Sequence, residues 1–233
     1  GNDQTFHTTL GETVTVKSKT YGWKLDEETE AAWLEEALKE GNSQTRDPQW
    51  LESAFSRGEE NDIGDTYVEI DITNQHMWFY KDGELLVDTP VVTGDATKDG
   101  YDTPVGLYCL YDKEAKAILR GADNLTGKNY NTPVDYWMPF NGGVGIHDAK
   151  WRPTFGGTLY QGNGSHGCVN TPWDQAGKIF DNIEIGTPVV VYKATINKGE
   201  GAVAISQPVE TRVINEKGEE VTESESDTAK ESE

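Results

Sequence analysis

The chain is short of sulfur and of positive charge. Its 233 residues hold two cysteines, two methionines and four histidines, and 20 Lys and Arg stand against 41 Asp and Glu, a formal net charge of −21. Two cysteines build no disulfide framework, and a chain of this length buries enough surface to do without one. They also leave the redox compartment open. The cationic deficit argues against nucleic acid, whose phosphates are neutralised by Lys and Arg with release of counterions, and against docking on anionic lipid. No stretch reaches the roughly twenty apolar residues of a membrane span, and the N-terminus lacks the charged flank and apolar run of a signal peptide. The sequence starts at Gly1, and an upstream anchor or signal removed from it is the expectation left open. No period of about 20 to 50 residues suggests a solenoid. The length fits one substantial domain and a smaller piece.

What is present falls into three parts. In residues 1–65, Val14 and Val16 alternate weakly ahead of Tyr21-Gly22-Trp23. A helix follows, capped by Asp26, striped by Trp33, Leu34, Ala37 and Leu38, and stopped by Gly41. Asp47 and Pro48 predict a second helix carrying Trp50, Leu51, Ala54 and Phe55 up to Gly58. Trp33 and Trp50 read as core, and the polar run 57–64 as the boundary. Residues 66–192 change character. Tyr67 to Ile72 alternates with period two, and Asp82-Gly83 turns a hairpin between Met77–Tyr80 and Leu85–Val87. His76, at a strand start, receives no role. Strands are expected around Val91, around Tyr108 to Leu110, from Val134 to Phe140, from Val144 to His147 and from Pro188 to Tyr192. Gly121 to Thr132 reads as a long loop of the kind used as a lid, and Cys109 as a small buried hydrophobe. Thr171-Pro172 opens a helix with Trp173, Ala176, Ile179, Phe180 and Ile183 on one face. Residues 193–233 thin out in apolar content, turn acidic and predict a disordered tail.

The chemistry concentrates in Gly164-Ser165-His166-Gly167-Cys168-Val169-Asn170. Glycines this close cost backbone entropy unless special φ/ψ values are needed. A reactive turn needs them. An ordinary cysteine is only a few per cent thiolate near neutrality, so a nucleophilic Cys168 requires a base. His166, two positions away, is poorly directed for a linear hydrogen bond, whereas His147 ends another strand and folding can set it opposite the thiol. His147 is therefore the expected general base and acid. The Asp148 carbonyl, rather than its side chain, is expected to fix the tautomer. The N–H groups of Gly167 and Cys168 are candidate oxyanion donors, and His166 lines the site or assists proton transfer. A zinc site is the competing reading of His147, His166 and Cys168, but no Cys-x-x-Cys or His-x-x-x-His pair accompanies them. No metal and no cofactor is expected. A disulfide between Cys109 and Cys168 would block the nucleophile.

His147, the stretch Asp148 to Gly164, and then Ser165-His166-Gly167-Cys168-Val169-Asn170 resemble the signature of the YkuD-type L,D-transpeptidases. Thr103-Pro104-Val105-Gly106-Leu107-Tyr108, Trp151 and Gly186-Thr187-Pro188-Val189 are similar to further marks of that family. Residues 1–65 resemble, more loosely, the end of the peptidoglycan-binding module that precedes this domain in Gram-positive versions. The resemblance implies a mainly β, sandwich-like catalytic domain with one or two short helices, preceded by a small α+β segment. It implies peptidoglycan stem peptides as partners, acylation of Cys168 by a tetrapeptide with loss of D-alanine, and resolution by an amine to a 3→3 cross-link or by water. Carbapenems are expected to acylate the same cysteine. Ser165 and Asn170 match motif positions and are expected to brace the turn, with Trp151 and Tyr130 as walls of the cleft. Lys128, Lys150 and Arg152 are expected near it, because a carboxylate-rich substrate favours a basic cleft. The alternatives are a carboxypeptidase, a non-catalytic wall-binding protein and a zinc hydrolase. The expected setting is the extracellular cell wall, and the expected state a monomer.

Overall fold

The computed structural model describes residues 3–221 apart from 42, 59, 123–125, 209–211 and 216. The expected hairpin forms where the sequence asks for it. Asp82 and Gly83 both take positive φ, 52° and 79°, so the strands His76–Lys81 and Glu84–Pro90 join through the turn geometry that matches their twist. These strands edge a five-stranded sheet that continues through Tyr67–Asp71 and Pro188–Tyr192 to Gly106–Cys109. Opposite lies a four-stranded sheet in the order Val169–Thr171, Val144–Asp148, Tyr136–Asn141, Glu114–Ala115. Val68, Ile70, Phe79, Val189 and Val191 of the first sheet meet Met138, Phe140, Ile146 and Val169 of the second in one buried core. This is the mainly β sandwich that the resemblance implied.

Tyr67–Asp71 departs from a one-faced strand, because Glu69 and Asp71 are buried along with Val68 and Ile70. Their face of the sheet is covered from outside. The hairpin of Asp3–His7 and Thr13–Lys17 packs Phe6 and Val16 with Tyr21, Leu107, Val190 and Tyr192. Thr9 gives its N–H and its hydroxyl to the Glu69 carboxylate, at 2.9 and 2.6 Å, and Tyr192 adds a third donor at 2.5 Å. Phe6, Val16, Tyr21, Ala54 and Ile63 therefore share a core with the five-stranded sheet.

The first helix, Glu27–Glu40, keeps its expected ends: Asp26 accepts from Thr29 N at 3.1 Å, and Gly41 closes it in the left-handed region. Its stripe is not a core face. Leu34 is 52% and Leu38 80% exposed, and Trp33 is covered by the Arg46 guanidinium, 4.3 Å above its ring. The second predicted helix is absent. Trp50–Glu52 instead pairs with Lys24–Leu25, Asp26 N bonds Gln49 O, and Glu30 takes both Arg46 and Gln49 N. Trp50 packs edge-on against Trp23. Tertiary pairing overrides the Asp-Pro helix signal here. The helix Trp173–Asn182 forms with Ala176, Gly177 and Ile179 buried, but Pro172 is its N-cap, Thr171 belongs to the preceding strand and Ile183 is its C-cap.

The disordered tail expected from residue 193 is structured in its described part. Val203–Ala204 pairs with Thr154–Phe155, and Ile205 packs against the cluster of Val92, Ala149 and Phe155. Gln207 accepts from Trp173 N, and Arg212 donates to Val134 O and Lys116 O, both at 2.9 Å. Few apolar anchors suffice because main-chain and guanidinium bonds carry the rest. The acidic run 222–233 lies outside the described residues. No helix among the described residues is long and apolar enough to cross a membrane.

Candidate active site

Two parallel neighbours build the floor of the site. Val144–Asp148 and Val169–Thr171 pair with Ile146 beside Val169 and His147 beside Asn170, so the histidine and the end of the cysteine motif meet across one ladder. Cys168 immediately precedes the second strand. The turn before it depends on Gly167, whose φ of +123° belongs to glycine, and on Ser165, whose hydroxyl donates to Cys168 O at 2.5 Å and accepts from Gly167 N at 3.0 Å. Thr103 Oγ1 closes the bracket by donating to Gly167 O at 2.7 Å. Ser165 Oγ thus bonds two main-chain groups of the turn. Gly167 does not fit the expected oxyanion role, because its N–H is already given to Ser165; of that pair only the Cys168 N–H lacks an acceptor among the described residues.

His147 is buried between Trp137 and Trp151, with ring centroids 6.0 and 5.8 Å away. Its Nδ1 donates to the Asp148 carbonyl at 2.8 Å, which leaves Nε2 as the acceptor nitrogen. The Asp148 carboxylate points elsewhere, accepting from Asp135 N and Tyr136 N. Asn170 has a different place from the one expected. The Arg152 guanidinium, which only donates, gives Nε and Nη2 to the Asn170 amide oxygen at 2.6 and 3.2 Å. The amide nitrogen is thereby turned to His147 Nε2, 3.2 Å away. Arg152, Asn170, His147 and the Asp148 carbonyl form one directed chain of hydrogen bonds. Cys168 Sγ donates to Gly143 O at 3.5 Å.

Burial dominates the titration of both groups. It pushes the Cys168 thiol up to about 11, opposed by the Gly145 N–H, and pushes His147 down to about 4, opposed by the Asp148 carbonyl and reinforced by the Arg152 charge. The resting pair is a neutral thiol and a neutral imidazole.

The cleft above this floor encloses about 710 Å³, within the range of ligand sites. Its lining includes Cys168, His147, His166, Ser165, Asn170, Trp151 and Tyr130, so the sequence-derived site residues other than Gly167 meet there. Exposed His166 is held against Tyr101 and Tyr130, at 4.5 and 5.4 Å between ring centroids. Tyr130 comes from an arm of a hairpin, Ile118–Ala122 paired with Asn129–Pro133, where a loop was expected; residues 123–125 lie outside the described residues. Of the three cations expected near the cleft, Arg152 lines it, Lys150 is buried against Asp135 at 3.1 Å, and exposed Lys128 is not part of the lining. Arg120, Trp137 and Tyr111 line it unforeseen. Trp137 was discoverable, since it pairs with His147 in register and shares its face. Cys109 is a free thiol, pushed up by burial, and no disulfide joins it to Cys168. Among the described residues no group of three His, Cys, Asp or Glu gathers as a metal site.

Comparison with known proteins agrees with this geometry. The family model of the YkuD L,D-transpeptidase catalytic domain matches residues 65–191. A crystal structure of an Enterococcus faecium L,D-transpeptidase cysteine-to-serine mutant is 40% identical, with a TM-score of 0.68, over 82% of this chain and 74% of that one. The catalytic domain of the E. faecium enzyme acylated by ertapenem is 46% identical, with a TM-score of 0.50, over 55% of this chain and 97% of that one. Among curated proteins, Mycobacterium tuberculosis L,D-transpeptidase 1 is 27% identical over 139 residues, 56% of this chain and 52% of that protein. The chain thus spans about half the length of that curated relative. A mainly β sandwich, a cysteine and a histidine lining one cleft, and a family match over more than half its residues place this chain in the YkuD L,D-transpeptidase family.

Proposed function

We propose that this chain is a peptidoglycan L,D-transpeptidase acting at the cell wall, forming 3→3 cross-links through a thioester on Cys168. The observation that carries the reading is the placement of Cys168 and His147, at adjacent strands, in one cleft walled by aromatic rings. In the first step the Asn170 amide N–H releases the one lone pair of His147 Nε2, Sγ–H turns to it from Gly143 O, and sulfur attacks the carbonyl between the third stem residue and the terminal D-alanine. His147 takes the thiol proton as the S–C bond forms. The Cys168 N–H faces the developing oxyanion. Collapse breaks the C–N bond, Nε2 returns its proton to the departing amine, and D-alanine leaves. The amine of a second stem then attacks the thioester, His147 receives its proton, and the thiolate leaves and is reprotonated. Water in place of the amine gives the carboxypeptidase outcome through the same acyl-enzyme.

The Asp148 carbonyl supports this cycle by keeping Nδ1 protonated, and the Asn170 amide N–H holds the Nε2 lone pair only in the resting state. His166 and Tyr130 form the wall on the hairpin side, and Trp151 the wall beside the base. The core that Phe6, Val16, Tyr21, Ala54 and Ile63 share with the five-stranded sheet favours a scaffolding part for that segment over an independent wall-binding module. The test is incubation with a disaccharide-tetrapeptide and analysis of products by mass spectrometry. D-alanine and a cross-linked dimer are expected. Hydrolysis alone establishes the carboxypeptidase, and no D-alanine release overturns both.

A further inference from the structure

In a chain of net charge −21 the cleft is an electrostatic exception. Its lining holds two arginines, Arg120 and Arg152, and no aspartate or glutamate among the described residues. A carboxylate approaching a chain of this net charge meets overall repulsion, so its recognition calls for a local cation. Arg152 is committed, since Nε and Nη2 both go to Asn170. Arg120 is not. One Nη2 N–H goes to Gly218 O at 2.9 Å, and its other donors have no protein acceptor among the described residues. It stands exposed on the cleft-lining hairpin arm Ile118–Ala122.

What holds Arg120 lies beyond the matched family domain, which ends at residue 191. The small hairpin of Val213–Ile214 and Glu220–Val221 is anchored by Arg212, which donates to Lys116 O and Val134 O at the base of the cleft hairpin. Gly218, buried at φ +80°, sits in its turn. A Cβ there would lie 3.0 Å from Arg120 Nε and 3.1 Å from Asn131 Oδ1, so the close approach depends on glycine. A tether on one Nη nitrogen restrains a side chain that otherwise loses much rotamer freedom on binding, and leaves N–H groups of the planar fork for a bidentate partner.

The geometry points to Arg120 as the specificity-determining contact for a carboxylate of the acyl donor, held in the cleft by the C-terminal hairpin 213–221. This rests on the acyl-transfer reading above. The carboxylate is one that the donor stem retains after D-alanine leaves. The hairpin that carries Arg120 also carries Tyr130 against His166, so the C-terminal segment braces a wall of the site along with its cation.

The test compares two tetrapeptide donors that differ only in an internal carboxylate, free in one and a carboxamide in the other. KM and kcat are measured for the wild type, Arg120→Gln, Arg120→Lys and Gly218→Val. The wild type is expected to favour the free carboxylate by about tenfold or more in kcat/KM, the worth of a charge-assisted hydrogen bond, with the difference in KM. Arg120→Gln is expected to bring the ratio close to one, Arg120→Lys to restore part of it, and Gly218→Val to lower it by loosening the tether. Alkylation of Cys168 by iodoacetamide, a neutral reagent, checks that each variant presents its nucleophile. A wild type that treats the donors alike, or Arg120→Gln retaining the wild-type ratio, overturns this inference and leaves acyl transfer standing. A wild type that releases D-alanine from neither donor refutes the acyl-transfer reading itself, and this inference with it.

Discussion

Replacing Asn170 by Asp changes one atom of the chain that ends at His147, and its consequence follows from donor and acceptor roles. In the native protein the amide oxygen takes two bonds from Arg152 and the amide nitrogen donates to Nε2. An aspartate keeps the Arg152 pair but turns an acceptor toward Nε2. Nε2 then has to carry a proton to bond it, which favours imidazolium. A carboxylate at this range raises a histidine by roughly 1 to 3 pH units, and the Arg152 charge limits the gain. His147 starts near 4. The active species is the neutral imidazole, which is lost as pH falls through its pKa. A rise of about two units, to about 6, leaves about 9% of the base neutral at pH 5, against about 91% in the wild type. The second-order rate of ertapenem acylation, followed by intact mass, is therefore expected to fall about tenfold at pH 5 and hardly at all at pH 8. An acid limb in Asn170→Asp that coincides with the wild-type limb refutes the assignment of Nε2 as the base that Asn170 controls.

Asp148 offers a stability test. Burial raises its carboxyl to about 6 against the Tyr136 and Asp135 N–H bonds, so the folded state holds a proton that the unfolded chain releases near 3.8. Its contribution is present below that unfolded value and is lost as pH rises to about 6. Relative to wild type, Asp148→Asn is expected to gain on the order of 3 kcal/mol between pH 4 and 7 in urea melts; parallel curves count against it. Gly167→Ala meets a strained φ of +123° and a Cβ contact of 3.3 Å to Val144 Cγ2. A loss of about 1–3 kcal/mol and slower acylation are expected, and an unchanged melting curve contradicts the turn's dependence on glycine. Ser165→Ala removes the bonds to Cys168 O and Gly167 N. A stability cost of about 1–3 kcal/mol is expected for the groups left unpaired, and neutrality in thermal melts argues against the brace.

The sequence disclosed the strands of the sandwich and the residues that line the cleft with Cys168 and His147, because alternation and the Gly-rich turn are local signals. It misled where distant chain decides. Asp47-Pro48 carries a good helix start, yet Glu30 and Lys24–Leu25 recruit that segment into pairing. Residues 193–221 are poor in apolar side chains, but Arg212 and Gln207 reach main-chain groups that no window of sequence displays. Asn170 read as a turn brace because its partner, Arg152, comes from the loop after another strand. Gly121 to Thr132 read as a loop because Gly and Asn conceal hairpin arms that only mutual pairing stabilises.

The most direct test of the central claim, that Cys168 is the nucleophile activated by His147, is intact-mass and peptide-mapping analysis after ertapenem treatment. One adduct on Cys168, formed far more slowly in His147→Ala and absent in Cys168→Ala, is the expected result. An adduct on Cys109, or none on either thiol, contradicts the account.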